Sequence, residues 1–205
     1  MLVASTAAWY AARAGGMVAF ALLTIGVLLG LLLSGRARLA EWPRFAVEDV
    51  HRFVGLLAGT FVAIHVLVLL LQSYVPFSVT DLVVPFAASW KPLPTALGVV
   101  GMELMVALAL TNRFKKELPF RFWRRAHYLN FAVWLLALAH GIASGTDTTS
   151  LWGAALYAVC GGAVAALTVW RFAAGRALEP WALRLWPGTA GLFTAELLVA
   201  VSLVR

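Results

Sequence analysis

The chain has 205 residues, of which 62% are hydrophobic and only 12% charged, and it carries a net charge of +7. A soluble domain averages about 25% charged residues, so an ordinary globular fold is excluded, and no polar domain is left to present a basic face to nucleic acid. The basic excess is read as membrane orientation, and the single Cys160 excludes an intrachain disulfide or a cysteine metal cluster.

Six apolar segments follow in chain order, at about 16–34, 52–72, 93–111, 127–143, 151–170 and 188–204. Each is roughly 17–21 residues, enough to cross a hydrocarbon core of about 30 Å. The expected fold is an all-α polytopic membrane bundle of six transmembrane helices in a single domain over 1–205. The first apolar run is too long for a signal-peptide core and ends in Gly35-Arg36-Ala37-Arg38, so it is read as a retained helix. Basic residues alternate between loops. Arg36, Arg38, Arg44 and Arg52 follow the first segment, six more lie between Arg113 and Arg125, and Arg171, Arg176 and Arg184 follow the fifth. Arg13, Lys91 and Arg205 fall on the other side. The positive-inside rule then puts both termini outside the cytoplasm. The segment 73–92 holds Pro76, Pro85 and Pro92, which argue against a continuous helix; its aromatic residues suggest a lid lying along the interface. The stretch 144–150 reads as a short polar turn, with Asp147 expected to be solvated.

The four histidines form two pairs inside apolar segments. His51 and His65 are 14 positions apart, His127 and His140 are 13 apart, and each pair spans roughly 20 Å of helix. One helix separates the two His-bearing segments, so these run parallel. His51 and His127 then share the inner level, and His65 and His140 the outer one. Neutral imidazole is an axial ligand for haem iron, and two helices offering one His at each level suit two haems. The angular register is less simple. Fourteen positions return the second His to within about 40° of the first, whereas 13 leave it about 140° away. The fourth helix must therefore cross at an angle, be locally rewound, or carry His127 in a non-ideal first turn.

Gly55, Ala58, Gly59 and Val62 share the His51/His65 face, either to admit a flat ring to the backbone or to pack a neighbouring helix. Arg52, Arg124 and Arg125 flank the inner histidines as propionate partners or as ordinary positive-inside residues. Lys91 is a weaker propionate candidate. Glu103 and Glu196 lie within apolar segments, where a carboxylate serves proton uptake, a quinone site, or an interhelical hydrogen bond. Glu48 and Asp49 are expected just before the second helix, facing its N-terminal dipole.

The run Asp49-Val50-His51-Arg52 through His65, followed by Phe122-Trp123-Arg124-Arg125-Ala126-His127 to His140-Gly141, resembles the ferric reductase-like transmembrane domain. That family includes NADPH oxidases, ferric-chelate reductases and the bacterial haem subunit of the periplasmic methionine sulfoxide reductase system. The resemblance covers about 48–171, leaving a basic loop and an additional helix in 172–205. It implies that His51 and His127 ligate an inner haem b, and His65 and His140 an outer one. No G-x-G-x-x-G fingerprint occurs in a strand–helix setting, so the expectation is a separate donor: a cytoplasmic flavoprotein docking around Arg113–Arg125, or membrane quinol. The expected function is a dihaem b-type cytochrome of the bacterial cytoplasmic membrane. It would pass electrons outward to ferric iron, dioxygen or a periplasmic redox partner. The competing reading is a quinone-linked cytochrome b anchor of a larger dehydrogenase.

Overall fold

The computed structural model describes residues 2–34 and 42–173, which form seven helices: α1 (Leu2–Ser34), α2 (Arg44–Leu71), α3 (Val79–Val83), α4 (Pro92–Arg113), α5 (Phe120–Tyr128), α6 (Asn130–Ser144) and α7 (Leu151–Ala173). Five stretches among the described residues are long and apolar enough to cross a membrane: Thr6–Ser34, Arg44–Leu71, Pro92–Arg113, Phe120–Ser144 and Leu151–Arg171. The expected sixth segment, 188–204, and Glu196 lie outside the described residues.

The helices begin and end where local chemistry dictates. Pro43 and Pro119 precede α2 and α5 with extended backbone, and Pro92 opens α4, a first-turn position where its missing N–H costs nothing. The short α3 carries a capping box: the Ser78 side chain accepts from Asp81 N–H, while the Asp81 carboxylate accepts from Ser78 N–H. Gln72 ends α2 by accepting from the N–H groups of Tyr74 and Val75 and donating to the Leu69 carbonyl.

Two helices start earlier than hydropathy predicts. α1 extends back to Leu2, because its alanine-rich first turns favour helix despite Arg13. α2 starts at Arg44, so Glu48 and Asp49 lie within it and not ahead of it. There they form exposed ion pairs with Arg44 and Arg52, at 3.3 Å and 3.4 Å.

α1 is the central element. It lies closely along α2, and also against α6 and α7, while α4 lies along α6; α2 has no comparable backbone contact with α4 or α6. The core joins Phe20 of α1 to Trp134 and Leu138 of α6 and to Tyr157, Cys160 and Val164 of α7. Its polar groups are satisfied in series: the Trp134 indole donates to Thr24 Oγ1 at 2.9 Å, and that hydroxyl donates to the Phe20 carbonyl at 2.9 Å. Arg171, 7% exposed, reaches from α7 to the Leu31 and Ser34 carbonyls at 3.1 and 3.0 Å, placing a cation at the negative C-terminal end of α1. At the opposite end Arg13 of α1 is paired with Asp147 in the turn between α6 and α7. Asp147 is therefore an interhelical partner and not the solvated turn residue expected.

Candidate functional site

The four histidines meet in two pairs across the gap between α2 and the α5–α6 segment. Ring centroids are 6.1 Å apart for His51 and His127, with planes at 72°. They are 6.4 Å apart for His65 and His140, with planes at 76°. The first pair lies at the end of the bundle that carries Arg44, Arg52 and Arg113–Arg125, called here the basic end; the second lies at the distal end.

A break in the helix resolves the awkward 13-residue step. α5 ends at Tyr128 and α6 begins at Asn130. Between them Leu129 N–H bonds to the Ala126 carbonyl at 2.9 Å, a tightened three-residue turn. The Asn130 side chain donates to the His127 carbonyl at 2.7 Å, a local bond that competes with the α-helical ladder and bends it. His127 thus stands near the end of a nine-residue helix and not in a first turn, and the rewinding turns both imidazoles towards α2.

Three imidazoles sit in notches of a neighbouring helix. His65 Nδ1 lies 2.6 Å from the Ala12 carbonyl of α1, and a Cβ on Gly16, four residues on, would come within 3.1 Å of that same nitrogen. His140 Nδ1 lies 2.8 Å from the Pro94 carbonyl of α4, and a Cβ on Gly98, again four residues on, would come within 2.7 Å of its ring. His51 repeats the arrangement more loosely. A Cβ on Gly30 would stand 3.6 Å from its Cε1, and its Nδ1 makes no hydrogen bond to the described residues. Residues i and i+4 share a helix face, so glycine at i+4 clears the approach to the carbonyl at i. A carbonyl can only accept, so Nδ1 of His65 and His140 carries the proton and Nε2 keeps its lone pair.

The distal pair has further supports. Lys91, with left-handed backbone at φ 43°, donates from Nζ to the Ala143 carbonyl at 2.9 Å, at the C-terminal end of α6 where a cation is favourable. The Ser144 hydroxyl lies 3.4 Å from His140 Nδ1. The 73–91 segment adds an aromatic cluster, with Trp9 against Tyr74 and Trp90 at 5.4 and 6.2 Å, and Phe77 against Trp90 at 6.1 Å.

The other expected site residues are distributed unevenly. Val54 and Ala58 are buried, whereas a Cβ on Gly55 or Gly59 would meet nothing within 4 Å, so these two glycines border open space. Arg52 is exposed and holds Asp49. Arg124 lies over the Phe120 ring at 5.4 Å, and Arg125 is exposed at the basic end. Glu103 is exposed on α4, with no ion pair or hydrogen bond to the described residues. Sequence reading missed Gly16, Gly30 and Gly98, yet α1 carries a signal: Gly16 and Gly30 are 14 residues apart, the spacing of His51 and His65 on the antiparallel α2. Among the described residues no three His, Cys, Asp or Glu side chains converge as a protein-only metal site requires.

Residues 15–138 match the family described as the ferric reductase like transmembrane component. The chain belongs to this family. The match begins on α1, well ahead of residue 48, and takes in Gly16, Gly30 and Gly98 together with His51, His65 and His127; it starts three residues after Ala12 and ends at Leu138, two residues before His140. Membership carries a membrane redox role and a lipid-embedded chain, and the family usually binds haem. No curated protein and no solved structure matches the chain.

Proposed function

We propose that this ferric reductase-like chain is a dihaem b-type cytochrome that carries electrons across the bacterial cytoplasmic membrane. The observation that carries the reading is the pair of His–His separations, 6.1 and 6.4 Å, at two levels of one gap. Those separations would leave room for one haem iron between the imidazoles of each pair, held by His51 with His127 and by His65 with His140. A haem would bring its own in-plane ligands, so two histidines would suffice where a protein-only site needs more. The sparse backbone contact between α2 and α6 supports the same fit, as does the open space beside Gly55 and Gly59.

In this reading His51 and His127 hold haem at the cytoplasmic level, and His65 and His140 hold it at the outer level. When bound, haem iron supplies a one-electron ferric/ferrous couple at each level. The protein's part is to hold Nε2 of each imidazole towards the gap. Arg52, Arg124 and Arg125 offer cations to propionates at the basic end. The exposed cations between Arg113 and Arg125 offer a docking face to a separate flavoprotein, unless quinol is the donor. The outer acceptor is ferric iron, dioxygen or a periplasmic partner. A quinone-linked anchor is the second reading, favoured by one observation: the bare carboxylate of Glu103 midway along α4.

The decisive experiment is haem quantification and an oxidised and dithionite-reduced spectrum of detergent-purified protein from haem-replete cells. Two b-type haems per chain are expected, with His127→Ala and His140→Ala each lowering the content by about one. A folded preparation without haem overturns the reading. Rapid reduction by quinol that is lost in Glu103→Gln would favour the second reading.

A further inference from the structure

The four imidazoles are not held alike. His65 and His140 lie in carbonyl–glycine notches and His51 lies loosely beside Gly30, but His127 has no such notch among the described residues. The neighbour of His127 Nδ1 is the Asn130 amide nitrogen at 3.4 Å, a group of its own segment and a donor. Helix α5 ends one residue later. Rotation of an imidazole about its second side-chain torsion is broad, so neither backbone nor carbonyl fixes the plane of this ring.

What lies against the ring is Trp123, one turn earlier on α5. The centroids are 5.3 Å apart and the planes within 23°, a nearly parallel stack. The indole is itself held: its Nε1–H donates to Asn112 Oδ1 at 2.8 Å, on the last turn of α4. Phe120, 5.9 Å from the indole, extends the same aromatic face towards the basic loop. No aromatic contact of this kind is found at the other three histidines among the described residues.

We propose that Trp123 is the positioning residue of His127. The indole, anchored through Asn112, sets the imidazole plane that the carbonyl notches set at His65 and His140. The inference rests on the dihaem reading and deepens it, because the plane of an axial imidazole governs the electronic anisotropy of the iron it binds.

The test uses the full-length purified protein and electron paramagnetic resonance of the oxidised state, with haem per chain measured on the same samples. The low-spin signal removed by His127→Ala identifies the basic-end site. Trp123→Leu is expected to shift or broaden that signal and leave the other unchanged. Trp123→Phe, which keeps a stacking ring, is expected to restore most of the wild-type position. Asn112→Leu leaves the indole present but unanchored; it reports on the same plane if Trp123→Leu does not fold, and is expected to give a smaller shift in the same direction. Two haems per chain with a signal indistinguishable from wild type in Trp123→Leu, or in Asn112→Leu should Trp123→Leu not fold, would overturn the assignment and leave the dihaem reading intact. Wild-type protein without haem would overturn the dihaem reading, and this inference with it.

Discussion

The two histidine pairs are built from different materials. At the distal end both imidazoles reach main-chain carbonyls, at 2.6 and 2.8 Å, over glycines that admit no added methyl without displacement. Lys91 and the Arg13–Asp147 pair tie the surrounding segments together. At the basic end one notch is loose, and the other imidazole rests on a side-chain stack beside a helix break. Main-chain groups of packed helices have little freedom to move, whereas side chains near an exposed face adjust. One gap thus holds a rigid pair and an adaptable one, the adaptable one nearest the cationic face.

Substituting the notch glycines should break this contrast most sharply. Gly98→Ala places a methyl 2.7 Å from the His140 ring, an overpacking that costs about 1–3 kcal/mol. His140 must then leave the Pro94 carbonyl, and the expected outcome is loss of most haem from the distal pair with the basic-end signal retained. Gly30→Ala makes only an ordinary 3.6 Å contact with His51 and should change stability by less than about 0.5 kcal/mol, with both haems bound. Equal losses in the two variants would erase the distinction between the sites.

A smaller effect should come from the distal ion pair. Arg13 and Asp147 are 21% and 19% exposed, between the surface and buried regimes. Removing the carboxylate charge in Asp147→Asn should cost roughly 1–3 kcal/mol, read as a lower thermal midpoint in detergent. The distal haem signal should broaden more than the basic-end one, because the turn carrying Asp147 follows the helix that bears His140.

The smallest effect concerns the segment over the distal end. Hydrogen bonds from the Ser78 backbone and hydroxyl hold the Asp81 carboxyl below the ordinary carboxylate range. A depressed carboxylate stabilises the fold above its unfolded pKa, and that contribution is lost as pH falls through the folded value. The capping box of α3 should therefore survive mild acid and open only below the ordinary carboxylate range. Amide exchange of Asp81 across acidic pH checks this; opening within or above the ordinary carboxylate range would contradict it.

The histidine pairing was legible because four imidazoles in apolar segments, two spacings and one intervening helix leave a single parallel arrangement. The break at Leu129 was not, since Tyr128-Leu129-Asn130 contains neither proline nor glycine and depends on an asparagine side chain competing with the main chain. Gly55 and Gly59 drew attention because they lie on the histidine helix itself, whereas the glycines that touch imidazoles lie on α1 and α4. Interhelical geometry decides that, and it is visible only once the antiparallel register of α1 and α2 is known. The Arg13–Asp147 pair was hidden for the same reason: its partners are far apart in sequence, and the length of α1 brings them together.

The matched 14-residue spacings on α1 and α2 have a mechanical consequence. Both notches of α1 are cut into one uninterrupted helix, so that helix acts as a caliper whose jaws are Gly16 and Gly30. One residue inserted between them would rotate one jaw by about 100° and advance it by about 1.5 Å relative to the other. The vertical separation of the two sites is therefore fixed by the pitch of a single helix, independently of the loops at either end.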